Sequence, residues 1–371
     1  MQEERLRILK MIEDGKLTVE EALLLLEGLD QSNKAANEKQ NDLFPDLSTV
    51  KFEEAKKEDP LNYKFQSAKD KIIDFVDQAY KKIKDFDLDF NFGKSIDISH
   101  IFEQADVDLK EIDIDLANGM VKVLPWEQNN VRIECQAKIY RVETQDEARR
   151  KFLNEVVFMI DSQRLRFSTQ QKWMKIEAVI YIPQTEYENI KIRMFNGSIE
   201  SEHLTAENYK AKTANGKITL SDIKGSYAEA ETSNGQILIQ RSFVGQLEAE
   251  TLNGAITLDG EYRKVDLQSF NGDIFCAFTG GVCEFIDAKA ATGGIELQIP
   301  NQTAAVEGEL KTNLGGFNVN LEGIQVVEEK SDVIQKVMRF KSLNNPEQAL
   351  RILAETKTGS IQVKKAKSVE F

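Results

Sequence analysis

The sequence predicts a mainly β protein whose larger part is a single-stranded parallel β-helix, or β-solenoid, with coils of about 19 residues. A small α-helical hairpin and a helical linker region are predicted to precede it. Three observations lead to this fold class. Asn-Gly pairs recur at a nearly constant spacing, apolar and polar residues alternate around them, and a polar stretch without apolar periodicity comes before them. A constant period is typical of stacked units, because each unit can bury its apolar face only against the next.

Glycine-containing turns set the repeat. Five Asn-Gly pairs follow one another at spacings of 19, 19, 19 and 18 residues, another lies upstream, and three degenerate copies continue the series. Glycine is expected at each corner because the chain turns there with positive φ, which asparagine also tolerates. We therefore predict structural roles for these residues, with each asparagine bonding the backbone or stacking on the next asparagine. The turns are Asn118-Gly119, Asn196-Gly197, Asn215-Gly216, Asn234-Gly235, Asn253-Gly254, Asn271-Gly272, Thr292-Gly293, Leu314-Gly315 and Thr358-Gly359.

Apolar side chains recur at fixed positions on both sides of the turns. Isoleucine lies three residues after the first turn residue, as in Ile218 and Ile237, and small residues precede the turn, as in Ala211 and Thr213. This alternation predicts an internal isoleucine ladder facing a small-residue column, with successive coils stacked in sequence order. Asn-Gly is also a strong hairpin signal, so separate antiparallel hairpins are the alternative fold. We prefer the solenoid because a 19-residue unit cannot bury its own apolar face.

Residues 1–30 predict two short helices. Gly15 supplies a helix stop, and Thr18 with Glu21 forms a capping box that starts the second helix. So short a pair cannot bury its leucines alone, which indicates either a partner surface or a small cap with its own core. The predicted partner is another copy of the chain, the rest of this chain or a different protein. The residues expected to make this contact are Leu9, Ile12, Leu24 and Leu25.

The rest of the chain divides into three predicted segments. Residues 31–110 are expected to form a polar linker that contains an amphipathic helix over 62–86. Residues 111–185 are expected to form a β module that covers the solenoid start, in which 131–183 do not share the repeat and 144–155 form a short helix or loop. Residues 186–371 are expected to form the solenoid, interrupted at 324–350.

Composition excludes several classes of function. The formal net charge is −14, which argues against nucleic-acid binding and against simple electrostatic docking on an anionic membrane. The three cysteines include no CxxC pair, so we expect neither a disulfide framework nor a zinc site, and we assign no metal and no cofactor. The acidic start of the sequence does not resemble a secretory signal, and no run is long enough to span a bilayer. A cytoplasmic location is expected by default, with the cell surface by a non-classical route as the alternative.

Candidate catalytic groups are sparse. The outward acids Glu229, Glu231, Glu248, Glu250 and Asp266 could pair for glycoside chemistry, as in carbohydrate-active β-helix enzymes, but we expect a solvated face. His203 has no serine or cysteine partner in the pattern and is expected at the surface. Cys276 falls on the inward ladder and is expected to be buried, whereas Cys283 remains unplaced. We therefore predict no catalytic residues and no enzymatic activity.

A binding role is more consistent with short, regular coils, which present long flat faces. Large apolar side chains occur immediately before three of the turns, at Phe195, Leu252 and Phe270. Two interpretations stay open. These side chains either form an exposed strip or pack beneath the loops.

Several motifs together resemble a known family. The run from Ile112 to Val123, the Ile180-Tyr-Ile-Pro segment and the serial Asn-Gly units resemble the β-strand-repeat putative adhesin family of unknown function. The Asp14-Gly15-Lys16-Leu17-Thr18 turn with its flanking apolar residues resembles a SHOCT-like helical hairpin. The combination is similar to the YvlB and LiaX-type proteins of Gram-positive bacteria. The resemblance implies a link to the cell-envelope stress response and implies no catalytic residues.

These inferences give a ranked set of functional hypotheses. The first is a non-enzymatic binding or scaffold protein in the cell-envelope stress response, whose partners include envelope-stress regulatory proteins. The second is a surface-exposed adhesin or antimicrobial-peptide sensor. The third is a carbohydrate-active β-helix enzyme. Membrane contact is expected to be indirect if it occurs.

Overall fold

The computed structural model describes residues 94–303, 305–332, 335–343 and 349–366. The hairpin predicted over residues 1–30 lies outside the described residues, as do its contact residues Leu9, Ile12, Leu24 and Leu25 and the helix predicted over 62–86. The described elements are 21 strands and one helix, α1. In chain order they are β1 (Ser95–Ala105), β2 (Glu111–Trp126), β3 (Asn130–Tyr140), α1 (Gln145–Glu155), β4 (Val157–Asp161), β5 (Arg164–Thr169), β6 (Met174–Pro183), β7 (Glu186–Glu202), β8 (Thr205–Asn215), β9 (Ile218–Ser221), β10 (Lys224–Asn234), β11 (Ile237–Asn253), β12 (Ile256–Asn271), β13 (Ile274–Phe278), β14 (Phe285–Thr292), β15 (Ile295–Ile299), β16 (Val306–Thr312), β17 (Phe317–Asn320), β18 (Ile324–Ser331), β19 (Lys336–Ser342), β20 (Leu350–Thr356) and β21 (Ile361–Lys365).

The strands form two hydrogen-bonded columns, one on each side of the glycine turns. We call them the pre-turn and post-turn columns, and β2, β7, β11 and β12 contribute a segment to each. In spatial order the pre-turn column is β4-β5-β2-β7-β8-β10-β11-β12-β14-β20-β16-β19-β18. The post-turn column is β1-β3-β6-β2-β7-β9-β11-β12-β13-β15-β21-β17.

Parallel pairing decides between the solenoid and the hairpins. Asn215 is aligned with Asn196 and with Asn234 in neighbouring coils. After the turn, Ile218 is aligned with Ile199 and with Ile237. A hairpin would instead pair the strand before a turn with the strand after it. The predicted β-solenoid is therefore confirmed.

The core lies between the two columns. From the post-turn side it is filled by the predicted isoleucine ladder, in which each residue is at most 1% exposed. From the pre-turn side, the position four residues before the turn is an alanine in five coils, which lets the columns approach closely there. The ladder consists of Ile199, Ile218, Ile237, Ile256, Ile274, Ile295 and Ile361, and the alanines are Ala211, Ala230, Ala249, Ala288 and Ala354.

We had expected the coils to stack in sequence order. The coils at both ends do not. The coil of β20 and β21 lies between that of β14 and β15 and that of β16 and β17. At the other end, β2 lies between β5 and β6 on one side and β7 on the other. The chain thus leaves space for one coil and fills it with a segment distant in sequence. A local repeat pattern carries no information on this choice, because every coil offers the same alternation.

Two segment boundaries also differ from the prediction. Residues 164–183 do share the coil architecture, because β5 and β6 pair in parallel with the two halves of β2. Their turn lacks the Asn-Gly pair, which hid the coil from the pattern. In the predicted linker, 95–105 form β1, an edge strand paired only with β3 among the described strands. Few of its side chains are buried, so its apolar alternation is weak.

Antiparallel strands close three of the four column ends, whereas β17 ends the post-turn column in parallel with β21. At the first end β4 pairs with β5 and β1 pairs with β3, and at the other end β19 and β18 follow β16. The segment predicted as a short helix or loop is α1, which begins after the N-cap Thr144. Its buried Phe152 stacks on Phe102 of β1, with ring centroids 5.9 Å apart.

Candidate functional site

The asparagine side chains at the turns form a continuous ladder. Each Nδ2 donates to the Oδ1 of the asparagine one coil earlier at 2.8–2.9 Å. Asn118 donates instead to the carbonyl oxygen of Lys172, and Thr292 donates its hydroxyl to Asn271. Since each amide is both donor and acceptor, the ladder extends without leaving a partner unmatched between its ends. The ladder consists of Asn118, Asn196, Asn215, Asn234, Asn253 and Asn271.

Close approach of neighbouring backbones explains the turn glycines better than backbone conformation does. Gly119, Gly197, Gly254 and Gly272 have the predicted positive φ. Gly216 and Gly235 do not fall in that range, so the expectation is wrong for them. A Cβ atom on any of these six glycines would lie within 2.1 Å of a neighbouring coil's carbonyl oxygen. The glycines therefore set the spacing of the coils.

A column of hydroxyl groups completes the turns. Thr213 donates to the carbonyl oxygen of Gly197 at 2.9 Å, and Thr232 donates to that of Gly216 at 3.0 Å. The same bond recurs at Thr251, Ser269, Thr312 and Thr356. The sequence pattern indicated only a small inward residue here, whereas in six coils the structure uses that residue as a hydrogen-bond donor. The turns are thus structural, and the outer surface of the columns is where binding chemistry can occur.

The outward side of the pre-turn column carries segregated charge. We define the charged face as the side chains five and three residues before each turn in five adjacent coils. Like charges lie side by side between coils, as with Lys191 and Lys210, or Glu229 and Glu248. Like-charged neighbours across strands destabilise a sheet. The charged face consists of Asp113, Asp115, Lys191, Arg193, Lys210, Lys212, Glu229, Glu231, Glu248 and Glu250.

The acidic part of the charged face is not the solvated surface that we predicted. Glu229, Glu231 and Glu250 are 7%, 3% and 5% exposed, although they point away from the core. Asp266 and Glu248 are half-buried. Burying a carboxylate is unfavourable unless a cation and hydrogen bonds compensate it. The period-2 pattern correctly gave the direction of these side chains but not their burial.

Two lysines hold two of the buried carboxylates, Glu229 and Glu231. Lys210 Nζ lies 2.7 Å from Glu229, and Lys212 Nζ lies 2.7 Å from Glu229 and 2.8 Å from Glu231. On the other side, Arg193 Nη2 lies 2.8 Å from Asp115 and 3.4 Å from Asp113. The four basic residues therefore form a block between two acidic rows.

The pKa values of Glu229 and Glu231 are shifted in opposite directions. Burial, together with the hydrogen bond to Glu229, raises the pKa of Glu231 to about 7. Burial alone would also raise the pKa of Glu229, but hydrogen bonds from Glu231, Lys210 and Lys212 outweigh it and lower that pKa. Both carboxylates contact the same ammonium group, Lys212 Nζ, at 2.7 and 2.8 Å. Their geometry fits an electrostatic role.

A groove of about 400 Å³ opens beside the basic block. Asn189, Asn208, Lys191 and Lys210 line it together with Arg164 and the acids Glu111 and Asp113. Arg164 forms an ion pair with Glu111, whereas Lys191 has no ion pair with any described residue. Burial and the charges of Arg193, Lys210 and Lys212 lower the pKa of Lys191, against a weaker opposite effect of Asp113.

The apolar residues before the turns give a mixed outcome. Phe195 and Leu252 are half-buried, and Phe270 is 43% exposed. Between them in the same row lie small buried residues, including Ala214 and Ser233. Neither the continuous exposed strip nor full packing beneath loops is found, because small residues interrupt the row.

The histidine and the two cysteines considered above as reactive groups do not form a catalytic arrangement. His203 is exposed at the opposite corner, with Nδ1 3.6 Å from Asp222. Cys276 is fully buried on the inward ladder, as predicted, and Cys283 is half-buried against the core. Burial raises the pKa of both thiols, so neither is set up as a nucleophile.

Among residues 94–366, apart from the short undescribed gaps, no three His, Cys, Asp or Glu side chains are grouped to hold a metal ion. The single helix of the described part is too short and too polar to cross a membrane.

Fold and turns define a class of protein, the parallel β-solenoid with an asparagine ladder. The chain belongs to the Toastrack DUF4097 family, whose model matches residues 109–364. A SHOCT-like domain matches residues 3–34, where the sequence predicted that hairpin. The uncharacterized protein YvlB of Bacillus subtilis (strain 168) is 47% identical over 366 residues, covering 98% of this chain and 99% of that protein. The predicted family resemblance is confirmed.

Solved structures that match this chain share little sequence with it. A putative adhesin from Parabacteroides distasonis is 12% identical with a TM-score of 0.41, covering 73% of this chain and 98% of that one. A putative adhesin from Bacteroides fragilis is 14% identical with a TM-score of 0.36, covering 72% and 97%. A putative lipid binding protein from P. distasonis is 12% identical with a TM-score of 0.35, again covering 72% and 97%. The family assignment rests on the sequence matches.

Proposed function

We propose that this protein is a non-catalytic binding protein whose charged face contacts an extended partner. The observation that carries the proposal is the juxtaposition of like charges on that face, as at Lys191 and Lys210, with buried acids beside them. Both features cost stability, so a sheet that served only as a scaffold would replace them with neutral residues. Departures from local stability rules are expected at functional sites.

A photo-cross-linking amino acid tests this proposal in the full chain. Placed at Phe195, in the row beside the charged face, it should give a discrete adduct when irradiated in cells. The same amino acid at Phe243, which is 54% exposed but at the opposite corner, should not. Equal adducts at both positions, or none at Phe195, would contradict a partner on the charged face.

The finer part of the proposal places this binding in the cell-envelope stress response. Its support is the combination of a SHOCT-like domain with a Toastrack domain. The sequence resemblance to LiaX-type proteins suggested this role. Deleting the gene should shift the concentration of a membrane-active antimicrobial peptide at which an envelope-stress reporter is induced. An unchanged induction curve would remove this part and leave the binding proposal standing.

A further inference from the structure

The basic groove has a surplus positive charge. Arg164 is paired with Glu111, and Arg193 is paired with Asp113 and Asp115. Lys210 is paired with Glu229. Lys191 is exposed to the groove and has no ion pair with a described residue. The acids of the groove are therefore already neutralised, and the charge of Lys191 is not.

Neighbouring groups add hydrogen-bond donors beside Lys191. The amides of Asn189 and Asn208 line the groove, and each donates only a long hydrogen bond of 3.5 Å within the protein. The Nε of Arg193, one register step from Lys191, is buried without a hydrogen-bond partner in the described part of the chain.

We propose that this groove, with Lys191 as its central cation, binds the phosphate group of a small hydroxylated molecule. The proposal deepens the proposed function, on which it rests, by naming a ligand class for one end of the charged face. The lowered pKa of Lys191 agrees with it, because a bound anion would relieve the repulsion from Arg193, Lys210 and Lys212.

The choice of phosphate over carboxylate follows from the type of cation that has no ion pair, which is a lysine rather than an arginine. A carboxylate is best bound by the planar fork of an arginine, and both nearby guanidinium groups already hold carboxylates. Lysine ammonium groups act as point charges with three donors and suit a phosphate. The flanking asparagine amides suit hydroxyl groups, and the volume of about 400 Å³ suits a small ligand.

Calorimetric titration of the full chain tests the site. The probes are inorganic phosphate, glycerol 3-phosphate and, as a neutral control, glycerol. Glycerol 3-phosphate should bind saturably at one site per chain, and Lys191→Gln should weaken it at least tenfold. Lys264→Gln is the matched control, because Lys264 is exposed on the same column three coils beyond Lys210 and outside the groove. It should change the affinity less than twofold.

A second arm distinguishes the source of the phosphate. If the protein sediments with phosphatidylglycerol vesicles but not with phosphatidylcholine vesicles, and Lys191→Gln abolishes this binding, the phosphate belongs to a lipid headgroup. Saturable binding of glycerol 3-phosphate without vesicle binding assigns a soluble ligand. No saturable binding of any phosphate probe, or equal weakening by both lysine variants, would overturn the inference. That result would leave the cross-linking test at Phe195 unaffected, so the two proposals fail separately.

Discussion

Asn234 donates its side-chain amide to the side-chain oxygen of Asn215, 2.8 Å away in the preceding coil. In the same ladder it accepts the amide of Asn253, also at 2.8 Å. Asn234→Asp keeps the size and the acceptor but removes the donor, and it places a carboxylate against the oxygen of Asn215. We expect a loss of about 1–3 kcal/mol in the free energy of unfolding, because a hydrogen bond is lost and two acceptor oxygens then face each other.

Urea denaturation measures this change. Asn301→Asp is the control, because Asn301 is exposed in a loop and has no side-chain bond to a described residue. Equal stability of the two variants would show that the ladder contributes nothing to the fold.

Gly235 tests the close approach of the coils without the complication of backbone conformation. A Cβ atom there would lie 1.9 Å from the carbonyl oxygen of Gly216, so Gly235→Ala must push two coils apart. We expect a destabilisation of about 3 kcal/mol or more, at the upper end for single substitutions. Gly316→Ala is the matched control, since nothing lies within 4 Å of its Cβ position. A thermal unfolding midpoint for Gly235→Ala equal to that of Gly316→Ala would contradict the steric account.

The repeat was predictable because it is local. The spacing of Asn215 and Asn234 and the alternation around Ile218 follow from the geometry of one coil, so the sequence contains both the turns and the core ladder. The order of the end coils was not predictable, because Ile361 satisfies the ladder equally well beside Ile295 or beyond Phe317. That order depends on long-range packing.

The candidate site was less accessible to sequence reasoning than the fold. Alternation correctly places Glu229 and Glu231 on the outward side, but it does not distinguish solvated side chains from buried ones. The signal that could have revealed the site is two-dimensional. When the coils are aligned at their turns, Lys210 lies beside Lys191 and Glu229 lies beside Glu248. The grouping of like charges on the charged face is then visible.

Self-association through the N-terminal hairpin remains a prediction from the sequence alone. Leu24→Asp in the full chain should lower the molar mass measured by analytical ultracentrifugation, because a charge in an apolar contact is unfavourable. Glu20→Gln, a polar change in the same segment, should leave the mass unchanged. If Leu24→Asp keeps the wild-type mass, the hairpin is not the contact between copies.

The raised pKa of Glu231 predicts a pH dependence of stability. The folded-state pKa of Glu231 is raised to about 7, above the ordinary value of 4.5. Its contribution to stability is therefore fully present below pH 4.5 and is lost as the pH rises to about 7. Glu231→Gln supplies a permanently neutral donor to Glu229. We expect the variant to gain stability relative to wild type between pH 5 and pH 8, on the order of 1–3 kcal/mol.

Urea denaturation of wild type and Glu231→Gln at pH 5 and pH 8 measures this difference directly. Glu248→Gln removes a carboxylate from the same charged face, beside Glu229 in the next coil. It should shift stability by a similar amount at both pH values, because it leaves Glu231, the group with the raised pKa, in place. A gain for Glu231→Gln that is the same at pH 5 and pH 8 would mean that the two carboxyl groups hold no proton between them in the folded protein. The charged face would then be fully ionised throughout this range, and Lys210 and Lys212 would balance both carboxylates at every pH.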